Sequence, residues 1–142
     1  MSESSNPSPE LAFPRSADSP GEFYKLGVGD ALLIIDMQND FFPGGVLPVP
    51  RAPYILPVIN RWIALAREGG TTVVATRDWH PPEHLSFEAQ GGPWHPHCIQ
   101  GSTGAEFFGG LALPPEAIII SKGSDPDHDA YSAFHDTDLA EQ

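Results

Sequence analysis

The 142-residue chain has a single cysteine, Cys98, which excludes an internal disulfide framework. It has two lysines, Lys25 and Lys122, and seven basic residues in all against nineteen acidic ones, for a formal net charge of −12. A surface of that sign repels phosphate backbones and anionic headgroups, so neither nucleic acid nor a membrane is expected as partner. No apolar run approaches the ~20 residues that span a bilayer. The N-terminus shows no basic patch followed by an apolar segment, so no secretory signal is read there. A reduced, cytoplasmic setting is the expectation. Residues 1–28 lack any helical or strand period and are rich in serine and proline, which predicts a disordered or loosely docked arm. The remaining residues, 29–142, read as one domain.

That domain opens on Ala31–Ile35, five apolar residues that run straight into Asp36. A short apolar run of this kind predicts a strand of a parallel sheet, buried on both faces. Between Tyr54 and Glu68, apolar residues recur at 55, 58, 59, 62, 63 and 66, the stripe of a helix. Pro53 suits its first turn, Pro57 predicts that it settles only from about residue 55, and Gly69-Gly70 ends it. The β-branched Thr71–Thr76 follows as a second strand. Strand, helix, strand in about 45 residues is a βαβ unit with parallel strands. A third strand is expected over Glu116–Ser121, running into Lys122. Asp136 or Thr137 would cap a helix starting at Leu139. The fold class is therefore α/β, a three-layer Rossmann-like parallel sheet. Three strands and one helix leave edges and a face uncovered, so the sheet is expected to be completed by a further segment or by another chain.

The long segment between strands two and three carries the chemistry. It opens with Arg77-Asp78-Trp79-His80, continues to His84, and later reads Trp94-His95-Pro96-His97-Cys98. Four of the six histidines fall within residues 80–97, which favours a metal site over a solvated loop. Residues two apart in extended backbone share a side, so Asp78 and His80 can converge on one ion. One carboxylate with two or three imidazoles suits a divalent ion such as zinc, iron or manganese. His97 is the better ligand of the later pair, because His95 points the opposite way, and Cys98 reads as a buried packing residue. Parallel neighbouring strands bring their C-terminal ends to one edge, which would gather Asp36, Asp78 and Lys122. The alternative for Lys122 is a snorkelling side chain at a strand end.

Taken together, Ile34-Ile-Asp-Met-Gln-Asn-Asp-Phe41, Pro43-Gly-Gly45, Ala75-Thr-Arg-Asp-Trp-His80, Trp94-His-Pro-His-Cys98, Gly101-Ser-Thr-Gly-Ala-Glu106, Ser121-Lys-Gly123 and Tyr131-Ser-Ala-Phe134 resemble the nicotinamidase/pyrazinamidase branch of the isochorismatase-like cysteine hydrolases. The Asp-Trp-His and Trp-x-Pro-His-Cys stretches are the more specific. The resemblance implies an amidase of pyridine nucleotide metabolism. A cysteine thiolate attacks the carboxamide of nicotinamide, ammonia leaves, and water hydrolyses the thioester. By match, Asp36 would be the general base and Lys122 its partner. Asp78, His80 and His97, with His84 as a further ligand, would hold one divalent metal. Phe41, Trp94 and Tyr131 would shape the ring pocket. The family's nucleophile lies in a later Gly-x-Ala-Thr-Asp-x-Cys stretch, and Cys98 does not match it. The expectation is the N-terminal part of such a hydrolase, acting as a homo-oligomer or with a complementing C-terminal chain. Two other readings stand beside it: another hydrolase of the superfamily, or a non-catalytic metal-binding fragment.

Overall fold

A computed structural model of the protein describes residues 26–142. Its regular elements are β1 (Ala31–Ile35), α1 (Ala52–Gly69), β2 (Thr72–Asp78) and β3 (Ile118–Lys122), with single 3-10 turns at Asn39–Phe41, Glu88–Gln90, Thr103–Ala105 and Leu139–Glu141. The strands form one parallel sheet in the order β1-β2-β3. Of the arm expected over residues 1–28, residues 1–25 lie outside the described residues, and the remainder is docked on the domain. Leu26 already packs against the core, and the Thr71 hydroxyl donates to the Gly27 carbonyl at 3.1 Å.

The two faces of the sheet are covered differently. On one, Ile34, Val73 and Ala75 pack with Ile63 and Ala66 of α1 and with Met37 and Phe42. On the other, Val74 and Ile120 meet Ala133 and Leu139 from the chain after β3. That second layer is irregular chain where a helix is expected, because only one 3-10 turn forms at Leu139–Glu141.

Three boundaries differ from the sequence reading. Helix α1 starts at Ala52 and carries Pro57 within it. Pro57 falls close enough to the N-terminus that its missing N–H deprives one carbonyl, that of Pro53. At the other end Gly70, with φ of +70°, donates its N–H to the carbonyls of Ala66 and Arg67 and closes the helix. Strand β2 runs on through Arg77 and Asp78, which their polarity assigned to a loop. The cause is β3, whose Ser121 and Lys122 pair with them in register. Strand β3 itself is shifted toward its C-terminus and includes Lys122.

Candidate active site

Register brings the first two groups together. Asp78 pairs with Lys122 across β2 and β3, so both side chains leave the same face of the sheet. The Lys122 ammonium is buried and forms ion pairs with Asp78 Oδ1 and, at 3.0 Å, with Asp36 Oδ2. Asp36 gets there by backbone conformation. Ile35 pairs with Thr76, so strand parity alone would put the next residue on the face of Arg77. A φ of +50°, which aspartate tolerates better than most residues, swings the Asp36 side chain back. Its Oδ1 then accepts from the Thr76 hydroxyl at 2.7 Å.

Burial works against the Lys122 charge, but Asp78 and Asp36 outweigh it and hold the ammonium above its ordinary pKa. Burial would likewise raise the Asp78 carboxyl; His80 and Lys122 overcome that and hold it below the usual carboxylate range. For the His97 imidazole burial prevails, and its pKa is lowered.

The other oxygen of Asp78, Oδ2, faces His80 Nε2 at 3.7 Å and His97 Nε2 at 3.8 Å. All three residues are buried, and among the described residues they are the group whose donor atoms converge within 4.8 Å of one another. The far nitrogens explain the arrangement. His80 Nδ1 donates to the Gly123 carbonyl at 2.9 Å, and His97 Nδ1 donates to the His95 carbonyl at 2.7 Å. Each ring, when neutral, therefore turns an unprotonated Nε2 toward the carboxylate. Three acceptors facing one another in a buried site are an arrangement a cation stabilises. The spacing fits as well, since ligands about 2.1 Å from a tetrahedral ion stand about 3.4 Å apart. The donor set thus fits one divalent metal with positions left open.

His84 is placed differently from the other three. It is fully buried and its ring lies 4.3 Å from that of His80, centroid to centroid. Both its nitrogens are engaged, Nδ1 with the Ser86 hydroxyl at 2.7 Å and Nε2 with the His128 carbonyl at 3.0 Å. It backs the cluster and does not join the converging donor atoms. His95 points out and contacts Glu88, as its parity predicts. Cys98 is fully buried, and its thiol pKa is pushed well up by burial and by the neighbouring carboxylates. That is the opposite of an activated nucleophile.

Phe41, Trp94 and Tyr131 do come together. With Asp78, His97 and Lys122 they line a cavity of about 170 Å³. That is smaller than drug-sized pockets, and suits a single-ring ligand. Trp94 Nε1 donates to the Tyr131 hydroxyl at 3.2 Å across the rim. Asp36 opens instead on a neighbouring apolar groove of about 310 Å³, which Phe41 also lines.

Among the buried polar residues that were not singled out from the sequence, Gln38 and Asp40 tie separate segments of the site together. Gln38 hydrogen-bonds the backbone of Asp78. Asp40 accepts from the Cys98 N–H at 2.7 Å and so ties the His97 segment to the turn after β1. No spacing signal marks these two residues in the sequence, because Asp36 has a left-handed backbone and Asp40 lies in the 3-10 turn, so strand parity does not carry through this stretch.

Comparison with known proteins matches residues 30–142 to the isochorismatase domain. The nicotinamidase of Escherichia coli (strain K12) is 39% identical over 121 residues, covering 75% of this chain and 57% of that protein. The solved pyrazinamidase of Pyrococcus horikoshii in complex with zinc is 53% identical, with a TM-score of 0.76 over 79% of this chain and 62% of that one. The structure of PnC1 from L. infantum in complex with nicotinate is 45% identical, with a TM-score of 0.67 over 73% of this chain and 52% of that one. The chain spans a little over half the length of the curated relatives it matches. Among the described residues no helix is long and apolar enough to cross a membrane. With the match extending from β1 through β3, and with the fold shared with the solved pyrazinamidase, the chain belongs to the isochorismatase domain family.

Proposed function

We propose that this chain carries the acid–base and metal-ligand part of an amidohydrolase that converts nicotinamide, and related ring carboxamides such as pyrazinamide, to the acid and ammonia. The observation that carries this reading is Lys122, which binds Asp36 and Asp78 at once and so joins a base to a buried Asp–His–His group beside an aromatic cavity. The names of the relatives support the substrate class.

In this reading Asp78, His80 and His97 hold one divalent ion, with zinc, iron and manganese all suited to the donor set. When bound, the ion supplies an electrophilic anchor for the ring nitrogen of the substrate. Phe41, Trp94 and Tyr131 hold the ring. Asp36 takes the proton of a thiol, and the sulfur bonds to the carboxamide carbon. The C–N bond then breaks, and Asp36 returns the proton to the departing amine as ammonia leaves. Water next attacks the thioester while Asp36 accepts its proton; the C–S bond breaks and the thiol is restored. Lys122 holds Asp36 in place throughout. Cys98 is buried away from this role, so the thiol comes from outside these 142 residues and meets Asp36 at the open groove beside β1.

Ammonia release from nicotinamide tests the proposal, measured on the polypeptide extended by the thiol-bearing segment, or on this chain mixed with it. Metal-loaded protein should release ammonia. Asp36→Asn should lower kcat by a factor of about 10²–10⁴ while leaving bound metal unchanged. No release with metal loaded would refute the assignment.

A further inference from the structure

Strand β1 ends at Ile35, whereas β2 continues to Asp78. The last ladder bond between them runs from the Asp36 N–H to the Thr76 carbonyl, at 3.2 Å. Beyond it the chain turns away at the positive φ of Asp36. The backbone groups of Asp78 that face β1 therefore have no strand to pair with, in a residue that is only 8% exposed. Buried amide groups left that way are strongly disfavoured.

Gln38 supplies the partner. Its Oε1 accepts the Asp78 N–H at 2.8 Å, and its Nε2 donates to the Asp78 carbonyl at 2.7 Å. The second proton of Nε2 goes to the Ala105 carbonyl at 2.9 Å, and the side chain is fully buried. The carboxamide acts as a peptide unit detached from any strand, and extends the β1–β2 ladder through a side chain.

We propose that Gln38 is the positioning residue for Asp78. It fixes the backbone from which the carboxylate projects, so that Oδ1 meets Lys122 while Oδ2 faces the two imidazoles. Because Gln38 lies two residues after Asp36, it also sets the metal group in register with the base. A carboxamide suits the site because the three bonds need one acceptor and two donors at one side-chain tip. Glutamate would turn an acceptor oxygen toward the carbonyls of Asp78 and Ala105, and methionine matches the length but makes none of the bonds. The inference rests on the metal reading above.

The test is zinc affinity, measured by chelator competition on the 142-residue chain with far-UV circular dichroism as the folding check. Gln38→Met and Gln38→Glu are compared with Ile63→Ala, a core substitution on α1 whose side chain packs away from the site. Gln38→Met should bind zinc at least about tenfold more weakly, in the range usual for residues that orient metal ligands. Its cobalt(II)-loaded form should show a changed visible spectrum. Ile63→Ala should lower the melting temperature yet bind zinc as the wild type does. Gln38→Glu carries the same comparison if Gln38→Met does not fold. Wild-type affinity in a folded Gln38 variant, an equal loss in Ile63→Ala, or failure of both Gln38 variants to fold would overturn the positioning role alone. A wild-type chain that binds no zinc would overturn the metal reading and this inference with it.

Discussion

Gly123 shows how one residue without a side chain serves the site. Its φ is +63°, and a Cβ built there would stand 2.5 Å from His80 Cε1. Its carbonyl also receives the Nδ1 proton of His80. Gly123→Ala should therefore act twice. The backbone strain should cost at least about 1 kcal/mol of stability. Displacement of the His80 ring should weaken zinc binding by about tenfold. Thermal melts and chelator competition on the same sample measure the two effects, and an unchanged zinc affinity would show that His80 does not depend on Gly123. The residues that converge were partly legible at this scale. Asp78 and His80 followed from strand spacing, and His97 was favoured over His95 by parity. His84 was read as a further ligand, but its bond to the His128 carbonyl depends on a chain segment that only folding brings near.

At the scale of elements, the βαβ unit was readable because its signals are local: an apolar run, a helical stripe and a β-branched run. The boundaries were not, because neighbouring strands decide them. Arg77 and Asp78 are polar and sit in β2 all the same, because the backbone of β3 pairs with them. Pro57 is the opposite case, a local signal that the helix overrides. It is exposed, and packing of Ile63 and Ala66 secures α1 around it. Pro57→Ala should restore one helical hydrogen bond and raise stability by about 1–2 kcal/mol, after allowance for the greater freedom of the unfolded chain. Urea unfolding followed by far-UV circular dichroism checks this. A loss of stability would mean that the proline ring makes a contact worth more than the bond.

For the whole molecule, the buried charges define how stability depends on pH in the metal-free protein. Burial lowers the His97 pKa, so the unfolded chain takes up a proton that the folded chain resists. Stability from this source is present above the ordinary histidine value of about 6.5 and is lost as pH falls through the folded value. Asp78 has the same sign at lower pH. Its contribution is present above about 3.9 and is lost as pH falls through its lowered folded value. Lys122 has the opposite sign. Its raised pKa contributes fully below about 10.4 and is lost as pH rises through the folded value. The urea midpoint of the chelator-treated protein should be level only from about pH 7 to 8.5 and fall on both sides. The upper limit comes from the raised pKa of the buried Cys98 thiol, which lets the unfolded chain release a proton that the folded chain keeps. His97→Asn should remove the decline that begins near pH 6.5 and keep the one near pH 4. A parent-like acid limb in that variant would assign the decline to another group.

Periodicity, spacing and residue chemistry are properties of short stretches, and they were enough to read the α/β class, the order of the elements and most candidate site residues, though not Gln38 or Asp40. The sequence by itself did not determine which carboxylate oxygen faces which partner. Asp36 lies forty-two residues from Asp78 and eighty-six from Lys122 along the chain, and strand parity turns it the wrong way. A left-handed backbone at Asp36, the register of Asp78 with Lys122 and the carboxamide of Gln38 bring the three charges together. Those are tertiary facts, since each needs hydrogen bonds or ion pairs between segments that meet only when the sheet has formed.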